Sequence, residues 1–439
     1  MRTNGEANRT TAGLMRLFVL LMRPGIGIKR WAGVGMAGVL LTALGIAFAV
    51  SVSVTTTIVD TGRTLTFGGL LTGVQRGAIF GGIGLIVSGT SAVMLYRRIA
   101  FGARYSQANR GIIESLEAHR VRSGGPRIVA IGGGTGLSSL LRGLKAYSDN
   151  ITAIVTVADD GGSSGRLRTG LGIPPPGDAR QCLIALSESE PLMEEVLDYR
   201  FETSEELGGH SFGNLLLAAL VHTTGSFPKA LQAAGELLAV RGRVMPSSVS
   251  TDVKLMARTV NGTVLEGESQ IGRSGEPLES VWLDPLDAET NPDAIQAIRD
   301  ADAIVMGPGS LYTSIIPNFL VPDIGPAVSA SGVPRILVCN IATQPGETDG
   351  LSAADHMRAF ELLSGVAVTH FLMNDHVLSI DRGHHQDPVE ATREIEGFNG
   401  VVVLKDLIDE SLPSRHDPKK LSSAIIELAR SPVPSLDRT

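Results

Sequence analysis

Cysteine is almost missing from this chain. Only Cys182 and Cys339 occur among 439 residues, and both stand in apolar surroundings. Two separate thiols exclude a disulfide framework and a cysteine zinc site, and this usage is typical of reduced, packed thiols in the cytosol.

Charge is missing from two long stretches near the N-terminus. No Asp, Glu, Lys or Arg occurs from Ala32 to Val59 or from Gly77 to Tyr96. Each run is long enough to cross a bilayer, and a signal peptide would have a shorter apolar core with no second span after it. The alternative is a buried helical hairpin of a soluble protein. We expect a membrane anchor of two transmembrane helices.

The basic residues around these runs predict the orientation of the anchor. Arg2, Arg9, Arg16, Arg23, Lys29 and Arg30 precede the first run, and Arg97, Arg98 and Arg104 follow the second. The connection carries only Asp60, Arg63 and Arg76. The positive-inside rule therefore places both termini and the main domain in the cytoplasm of a multi-pass cell-membrane protein. Since neither run contains a charge, transport and proton relay are not indicated.

The rest of the chain is acidic. Residues 1–123 hold 14 Lys and Arg against 4 Asp and Glu, and the remainder holds 24 against 41. An acidic body excludes broad nucleic-acid binding, whereas a basic front end suits an anionic membrane surface. The predicted organisation is a basic segment (1–30), two spans with a short exterior loop (31–97), a polar stalk (98–125), a ligand-binding domain (126–432) and a tail (433–439).

After Pro126 the sequence alternates short apolar runs with helical segments, which is typical of a parallel α/β domain. The predicted strands are 128–131, 151–157, 303–306, 336–339, 366–373 and 401–404. The predicted helices are 137–147, 179–187, 212–223, 229–238, 292–301, 353–364 and 418–430. A hairpin around Asn261 and Gly262 predicts a small β-rich insertion over residues 240–285.

A glycine-rich corner follows the first predicted strand. It consists of Gly132, Gly133, Gly134, Thr135 and Gly136. A helix that begins at such a corner presents backbone N–H groups and the positive end of its dipole, which together bind phosphate. The motif is neither a P-loop nor the dinucleotide fingerprint, because it lacks the Gly-Lys-Ser/Thr ending and the last glycine. A purely structural turn is the alternative.

Paired carboxylates follow the second predicted strand. Asp159 and Asp160 precede two glycines and the hydroxyls of Ser163 and Ser164. The acids suit a ribose hydroxyl, Mg²⁺ or the orientation of a leaving group, and the serines suit phosphate or sugar. An ordinary Asx-turn is the alternative.

Further polar groups occur at the starts of later helices. Asp178 is a candidate helix N-cap or ligand contact, and Arg180 is a candidate for a bidentate pair with a diphosphate. His210, Ser211 and Asn214 lie in a Gly-x-Ser-x-Gly pattern. No strand precedes it, so an esterase elbow is excluded and a helix start facing a polar ligand is favoured.

Two more strand ends carry polar clusters. Gly307, Gly309 and Ser310 follow one strand and predict another anion-binding corner. Asn340, Thr343, Gln344 and Glu347 follow the next, and their amide, hydroxyl and carboxylate groups suit a sugar or a base. His384 and His385 beside Asp387 are more typical of a solvated loop than of a metal site, so no resident metal site is predicted.

These motifs, in this order, resemble the gluconeogenesis-factor family of the YvcK type, which is part of the superfamily of CofD-like 2-phospho-L-lactate transferases. The resemblance covers residues 126–430. It implies a Rossmann-like, mostly parallel sheet and binding of a UDP-sugar such as UDP-N-acetylglucosamine. It also implies a regulatory role that links carbon metabolism to cell-wall precursor synthesis and cell shape. The transmembrane hairpin departs from the family pattern.

Three functions follow from these features. The first is a regulator that binds a nucleotide sugar and acts on an enzyme of amino-sugar or cell-wall precursor synthesis, alone or as a homo-oligomer. The second is a transferase that moves a phosphorylated group from a nucleoside diphosphate donor, with Asp159 or Asp160 holding Mg²⁺ or acting as base. The third, an NAD-type oxidoreductase, is supported only by the first βα unit. Because the sequence shows no activated nucleophile, it favours the regulator, with no catalytic residue predicted.

Overall fold

The computed structural model describes residues 28–50, 73–104, 119–201, 207–376 and 386–434. The chain divides into two compact units, residues 1–120 and residues 121–439. Nearly all of the predicted basic segment, most of the exterior loop, half of the stalk, and His384 and His385 lie outside the described residues.

Two helices form the described part of the first unit, α1 (Ile28–Val50) and α2 (Gly73–Arg104). They pack against each other through small residues. A Cβ added to Gly45 would lie 2.4 Å from the backbone nitrogen of Gly81, and one added to Gly84 would lie 2.5 Å from that of Thr42. Since only glycine permits this approach, the sequence of small residues sets the helix–helix contact.

The prediction of two membrane spans is only partly supported. Among the described residues, Gly77–Met94 of α2 is long and apolar enough to cross a membrane, but the apolar part of α1, Gly33–Phe48, is shorter. The first predicted run extends to Val59, and its last nine residues, 51–59, lie outside the described residues. The two-helix anchor therefore reduces to one candidate span and a shorter apolar helix packed beside it.

The second unit is built on a seven-stranded sheet in which every strand pair is parallel. Its strands are β1 (Ile128–Gly132), β2 (Ile151–Val155), β3 (Arg243–Pro246), β7 (Ala303–Met306), β8 (Arg335–Val338), β9 (His370–Asn374) and β10 (Val401–Lys405). Their order is β10-β9-β8-β7-β1-β2-β3. The central strands β1, β2 and β7 are buried along their whole length, as expected for a parallel sheet covered on both faces. The predicted α/β, mostly parallel fold is confirmed.

Helices connect and cover these strands. They are α3 (Gly134–Leu144), α4 (Gly162–Leu171), α5 (Gly177–Leu186), α6 (Glu190–Leu197), α7 (Phe212–Thr224), α8 (Phe227–Leu237), α9 (Glu268–Ser274), α10 (Pro292–Arg299), a π-helical turn (Leu311–Ile315), α11 (Ile316–Phe319), α12 (Ile324–Ala330), α13 (Ala353–Ser364) and α14 (Pro418–Leu428). Local signals set several ends. Ser352 and Asp355 form a capping box at the start of α13, and Gly365 ends that helix in the left-handed conformation.

A second, antiparallel sheet contains β4 (Lys254–Thr259), β5 (Val264–Glu266) and β6 (Leu278–Asp284), in the order β5-β4-β6. The predicted insertion is therefore present, but its first boundary at residue 240 is wrong. β3 belongs to the main sheet, where Val244 and Met245 are buried and pair with Ala153 and Ile154 of β2. A strand of four residues does not show in sequence which sheet it joins.

The strand order creates a switch point between β1 and β7. The chain moves outward from β1 to β2 and β3, then returns to β7 on the other side of β1. Connections leave β1 and β7 in opposite directions, so a crevice opens at the carboxyl ends of these two strands. In open α/β sheets ligands bind at this position.

Candidate functional site

A cleft of about 810 Å³ lies at this switch point. Nine of the predicted site residues line it: Gly133, Gly134, Thr135, Gly136, Asp178, Gly309, Ser310, Asn340 and Gln344. They come from the ends of β1, β7 and β8 and from the start of α5. Strand-to-helix junctions that are up to 211 residues apart in sequence, from Gly133 to Gln344, therefore converge on one cavity.

The first glycine corner is already occupied by a carboxylate of the protein. The backbone N–H of Gly134, at the start of α3, donates a hydrogen bond to Asp178. A Cβ on Gly133 would lie 2.1 Å from Asp178 Oδ2, so only glycine admits this carboxylate. Burial and the nearby charge of Asp159 raise the pKa of Asp178 to about 7. The corner does bind an anionic group, and in this structure that group is Asp178.

At the corner after β7, backbone N–H groups are also hydrogen-bonded within the protein. Glu347 Oε1 accepts hydrogen bonds from the backbone nitrogens of Tyr312 at 2.8 Å and Thr313 at 2.9 Å. Beside it, Asn340 holds Gly309 by two hydrogen bonds, of 3.2 Å from Gly309 N to Oδ1 and of 2.8 Å from Nδ2 to Gly309 O. Glu347 thus stabilises the π-helical turn, and the predicted anion-binding corner there is closed by an internal acid.

A smaller cavity of about 350 Å³ shares Glu268, Ser310, Gln344 and Gln386 with the cleft. Asp159 and Glu347 line it as well. Burial, reinforced by the neighbouring carboxylates, raises the pKa of Glu268 to about 9. Burial also raises the pKa values of Asp159 and Glu347. The combined site therefore carries more acid groups than it can hold ionised at neutral pH.

Asp159 and Asp160 point to different cavities. Asp159 lines the small cavity, and its Oδ1 accepts a hydrogen bond from Gly161 N at 2.7 Å. Asp160 Oδ1 accepts a hydrogen bond from Ser269 N at 2.9 Å, at the start of α9, and Asp160 lines a separate groove. The side chains of successive residues in extended backbone face opposite sides. Asp159 therefore faces the smaller cavity beside the cleft, and Asp160 binds the start of α9 in the insertion.

Mg²⁺ has no ready set of ligands here. No three His, Cys, Asp or Glu side chains in the described ranges are close enough to hold a metal ion. The acids of the site interact electrostatically, but they are divided between two cavities. Asp178 and Glu347 also accept hydrogen bonds from backbone N–H groups.

Four predicted residues form a polar cluster outside the cleft. Ser163 Oγ lies 3.0 Å from His210 Nδ1, and Asn214 Nδ2 donates to the same Oγ at 3.0 Å. Ser211 caps α7 by accepting a hydrogen bond from Asn214 N at 3.3 Å. The cluster fastens the start of α7 to the start of α4, and its members do not line the cleft.

The remaining predicted residues support the walls. The guanidinium of Arg180 is buried and lies 2.8 Å from Asp198 Oδ1. The side chain of Ser164 is a hydrogen-bond partner of the Asp159 carboxylate. Thr343 Oγ1 accepts a hydrogen bond from Asp387 N at 3.0 Å. Gly132 ends β1, and Gly307, with a φ of +78°, turns the chain after β7.

Several lining residues were not predicted from the sequence. They carry charged, amide or imidazole side chains and are Arg142, Gln181, Glu194, Asp198, Glu268, Gln386, Arg415 and His416. Arg142 is paired with Glu194 at 2.9 Å, whereas Arg415 forms no ion pair with any described residue. The Arg415-His416-Asp417 sequence before α14 was the available signal, since Asp417 caps that helix.

Comparisons with known proteins agree with this architecture. The family model of 2-phospho-L-lactate transferase CofD matches residues 128–422. A Bacillus subtilis protein named gluconeogenesis factor is 44% identical over 313 residues, which are 70% of this chain and 98% of that protein. This chain belongs to the CofD-like family of gluconeogenesis factors. The family resemblance inferred from the motifs is confirmed.

Solved and longer relatives show how far this similarity extends. A crystal structure of a UPF0052-family protein from Bacillus halodurans has 43% identity and a TM-score of 0.65, and the match covers 69% of this chain and 99% of that one. A Nostoc relative is 43% identical over 421 residues, covering 92% of this chain and 91% of its own length. The CofD-like unit therefore recurs as a whole protein in Bacillus, and the similarity to the Nostoc protein continues into the N-terminal unit.

Proposed function

We propose that the switch-point cleft binds a UDP-sugar such as UDP-N-acetylglucosamine and that the protein is a ligand-sensing regulator. The main support is that glycine backbone and polar side chains from three strand ends converge on one cavity of about 810 Å³. That volume suits a drug-sized ligand, and amide and hydroxyl groups outnumber apolar side chains in the lining.

The diphosphate must be accommodated beside several acids. Glu268, with its pKa raised to about 9, is largely neutral near neutral pH and can donate a hydrogen bond to a phosphate or sugar oxygen, whereas Asp178, with its pKa raised to about 7, is about half protonated there. Arg415 supplies a positive charge with no partner among the described residues, so it is the best candidate for a phosphate contact. This arrangement modifies the sequence-based hypothesis, in which backbone amides of the glycine corners and Arg180 held the diphosphate, since Arg180 is buried and paired with Asp198.

The regulatory role is favoured over catalysis by the lining itself. Among the described lining residues, no hydroxyl or thiol is hydrogen-bonded to a histidine, and His416 instead lies 3.1 Å from the carbonyl oxygen of Cys339. The relatives named gluconeogenesis factor support a role in carbon metabolism. We propose that the output reaches an enzyme of cell-wall precursor synthesis and that α1 and α2 hold the sensor at the inner face of the cell membrane.

A transferase that moves a phosphorylated group from a nucleoside diphosphate donor is the second candidate, because the matching family model is that of a transferase. Asp159 is then the acid that faces the donor, since Asp160 lies outside both cavities of the site. Mg²⁺ in that reaction would require phosphate oxygens of the substrate to complete its ligand set.

Calorimetry on the full-length protein in detergent micelles tests the proposal. We expect UDP-N-acetylglucosamine to bind, NAD and GDP to bind at least tenfold more weakly, and no product to form with or without Mg²⁺. Gln344→Ala removes an amide that donates to Ser310 Oγ at 2.6 Å in the cleft, and we expect it to weaken binding about tenfold. Gln296→Ala, on the exposed side of α10, is the matched control. Turnover that disappears in Asp159→Asn would establish the transferase instead.

A further inference from the structure

A groove of about 680 Å³ lies between α4 and the small antiparallel sheet. Its lining includes Gly162, Arg166, Arg168 and Gly170 from α4, and Lys254 and Glu266 from β4 and β5. None of these residues lines the cleft or its smaller neighbour. Asp160 also lines the groove, and it is the predicted site residue that lies outside both cavities of the site, so the groove has no role in the proposed function.

Three cations face this groove in an otherwise acidic domain. Arg166 donates to the backbone oxygen of Gly208 at 3.1 Å, and this neutral partner leaves its charge uncompensated. Arg168 pairs with Asp252, whose side chain is 83% exposed, and Lys254 pairs with Glu266, of which 54% is exposed. The Lys254–Glu266 pair is exposed on both sides and contributes little stability, so Lys254 is available to an anion that enters the groove. The Arg168 side chain is only 11% exposed and adds its charge from the groove wall.

Two glycines, Gly162 and Gly170, expose the backbone of α4 to the groove. A Cβ added to Gly162 or Gly170 would meet no atom within 4 Å. Gly162 is also the first residue of α4, and the first turn of this ten-residue helix contains no acidic residue. The positive end of the helix dipole therefore adds to the three side-chain charges.

The groove and the ligand cleft share a wall. Gly162 lines the groove while Gly161 lines the smaller cavity, and Gly267 lines the groove while Glu268 lines the cleft. The hydrogen bond from Ser269 N to Asp160 Oδ1 at 2.9 Å ties the two segments of this wall together. A ligand that moves either segment in the groove also moves the side chains that face the cleft.

We propose that this groove is a second ligand site, which binds a small phosphorylated metabolite such as a sugar phosphate and adjusts UDP-sugar binding in the cleft. Its volume fits a small molecule, and guanidinium and ammonium groups near a helix N-terminus are the ligands that phosphate prefers. The adjustment of UDP-sugar binding rests on the proposed function of the cleft. The binding of phosphate in the groove does not.

Calorimetry with glucose 6-phosphate as the probe, on the full-length protein in micelles, tests the site. We expect Arg166→Gln and Lys254→Gln each to raise the dissociation constant about tenfold, because each removes a charge-assisted hydrogen bond. Gly170→Leu fills the groove without backbone strain, since leucine has the higher helix propensity, and we expect it to abolish binding. Lys229→Gln, on the exposed side of α8, is the matched control and leaves binding unchanged.

The outcomes separate this inference from the function of the cleft. No binding of glucose 6-phosphate, or binding that survives Gly170→Leu but is lost in Arg415→Gln, overturns the groove site whether or not UDP-N-acetylglucosamine binds. Absence of UDP-sugar binding with intact groove binding overturns the proposed function alone. With both ligands bound, we expect saturating glucose 6-phosphate to change UDP-sugar affinity at least threefold in the wild type but not in Gly170→Leu. An unchanged affinity in the wild type contradicts the coupling.

Discussion

The two units of this chain bury opposite kinds of residue. In the α/β unit, large aliphatic side chains such as Ile131 and Leu140 are completely buried. In the helix pair, Leu40 is 66% and Ile86 is 68% exposed, while Gly45 and Gly84 lie in the contact between the helices. Small residues inside and large apolar residues outside are the pattern of helices packed in lipid, where burial from water supplies no force between them.

Charge follows the same division. Gly77–Tyr96 holds no charged residue, whereas the α/β unit places Asp159, Asp178, Glu268 and Glu347 in or beside one cleft. The helix pair is held by close contact of small residues and leaves its large apolar side chains exposed, whereas the α/β unit is stabilised by exclusion of water from aliphatic side chains.

The largest expected effect is on the aliphatic core. Leu140→Ala in α3 removes a fully buried side chain and should cost about 4 kcal/mol of the unfolding free energy of the α/β unit. Leu40→Ala in α1, at 66% exposure, should cost less than about 1 kcal/mol in micelles. Trp282 belongs to the α/β unit and Trp31 to the helix pair, so fluorescence after Trp31→Phe follows the α/β unit during denaturation. Equal losses for both substitutions would contradict the inverted burial.

The sequence predicted the α/β unit well where its signals are local. The strand Ala303–Met306 and the helix Ala353–Ser364 have the predicted bounds, because a uniformly apolar run and a capping box mark them. Helices α4 and α6 were not predicted. The first has a glycine at three of its ten positions, and glycine lowers helix propensity, so its helical state depends on tertiary packing, in which Leu167 clusters with Ile173 and Ala218.

The candidate site was predictable in its position but not in its electrostatics. Glycine corners after successive strands indicated where the cleft lies. They could not show that Asp178, 44 residues after Gly134, occupies the first corner, because that contact depends on how α5 packs against α3. Glu268 was missed for the same reason, since it belongs to the insertion and reaches the cleft only through the tertiary fold.

The second prediction concerns the exposed apolar surface of α2. Ile86→Lys places a charge in the middle of Gly77–Met94, and insertion of that segment should become less favourable by about 3 kcal/mol. Fractionation of cells that express the variant should move the protein from the membrane to the soluble fraction. Lys405→Ile, on an exposed strand of the α/β unit, is the reference change and should leave the distribution as it is. A membrane fraction that Ile86→Lys does not alter would favour the soluble hairpin.

The third prediction tests the buried acid that distinguishes the α/β unit. The folded protein keeps a proton on Glu268 up to a pKa of about 9, whereas an unfolded glutamate releases it near 4.5. Between these values the folded state binds more protons, so wild-type stability falls as the pH rises. Glu268→Gln removes that loss and should raise the unfolding free energy by about 2 kcal/mol at pH 8, with little change at pH 4. Denaturation at both pH values checks the sign, and stabilisation confined to pH 4 would contradict it.

The smallest expected effect lies in the contact between α1 and α2. Gly45→Ala places a methyl group 2.4 Å from the backbone nitrogen of Gly81, so the helices must separate, and we expect a loss of about 1 kcal/mol. Gly89→Ala is the matched control, because a Cβ there meets no atom within 4 Å and alanine is the better helix former. Amide hydrogen exchange of α1 and α2 in micelles should be faster in Gly45→Ala and unchanged or slower in Gly89→Ala. If both variants exchange alike, then the small residues do not hold the hairpin together, and the contrast between the two units rests on the exposed apolar surface alone.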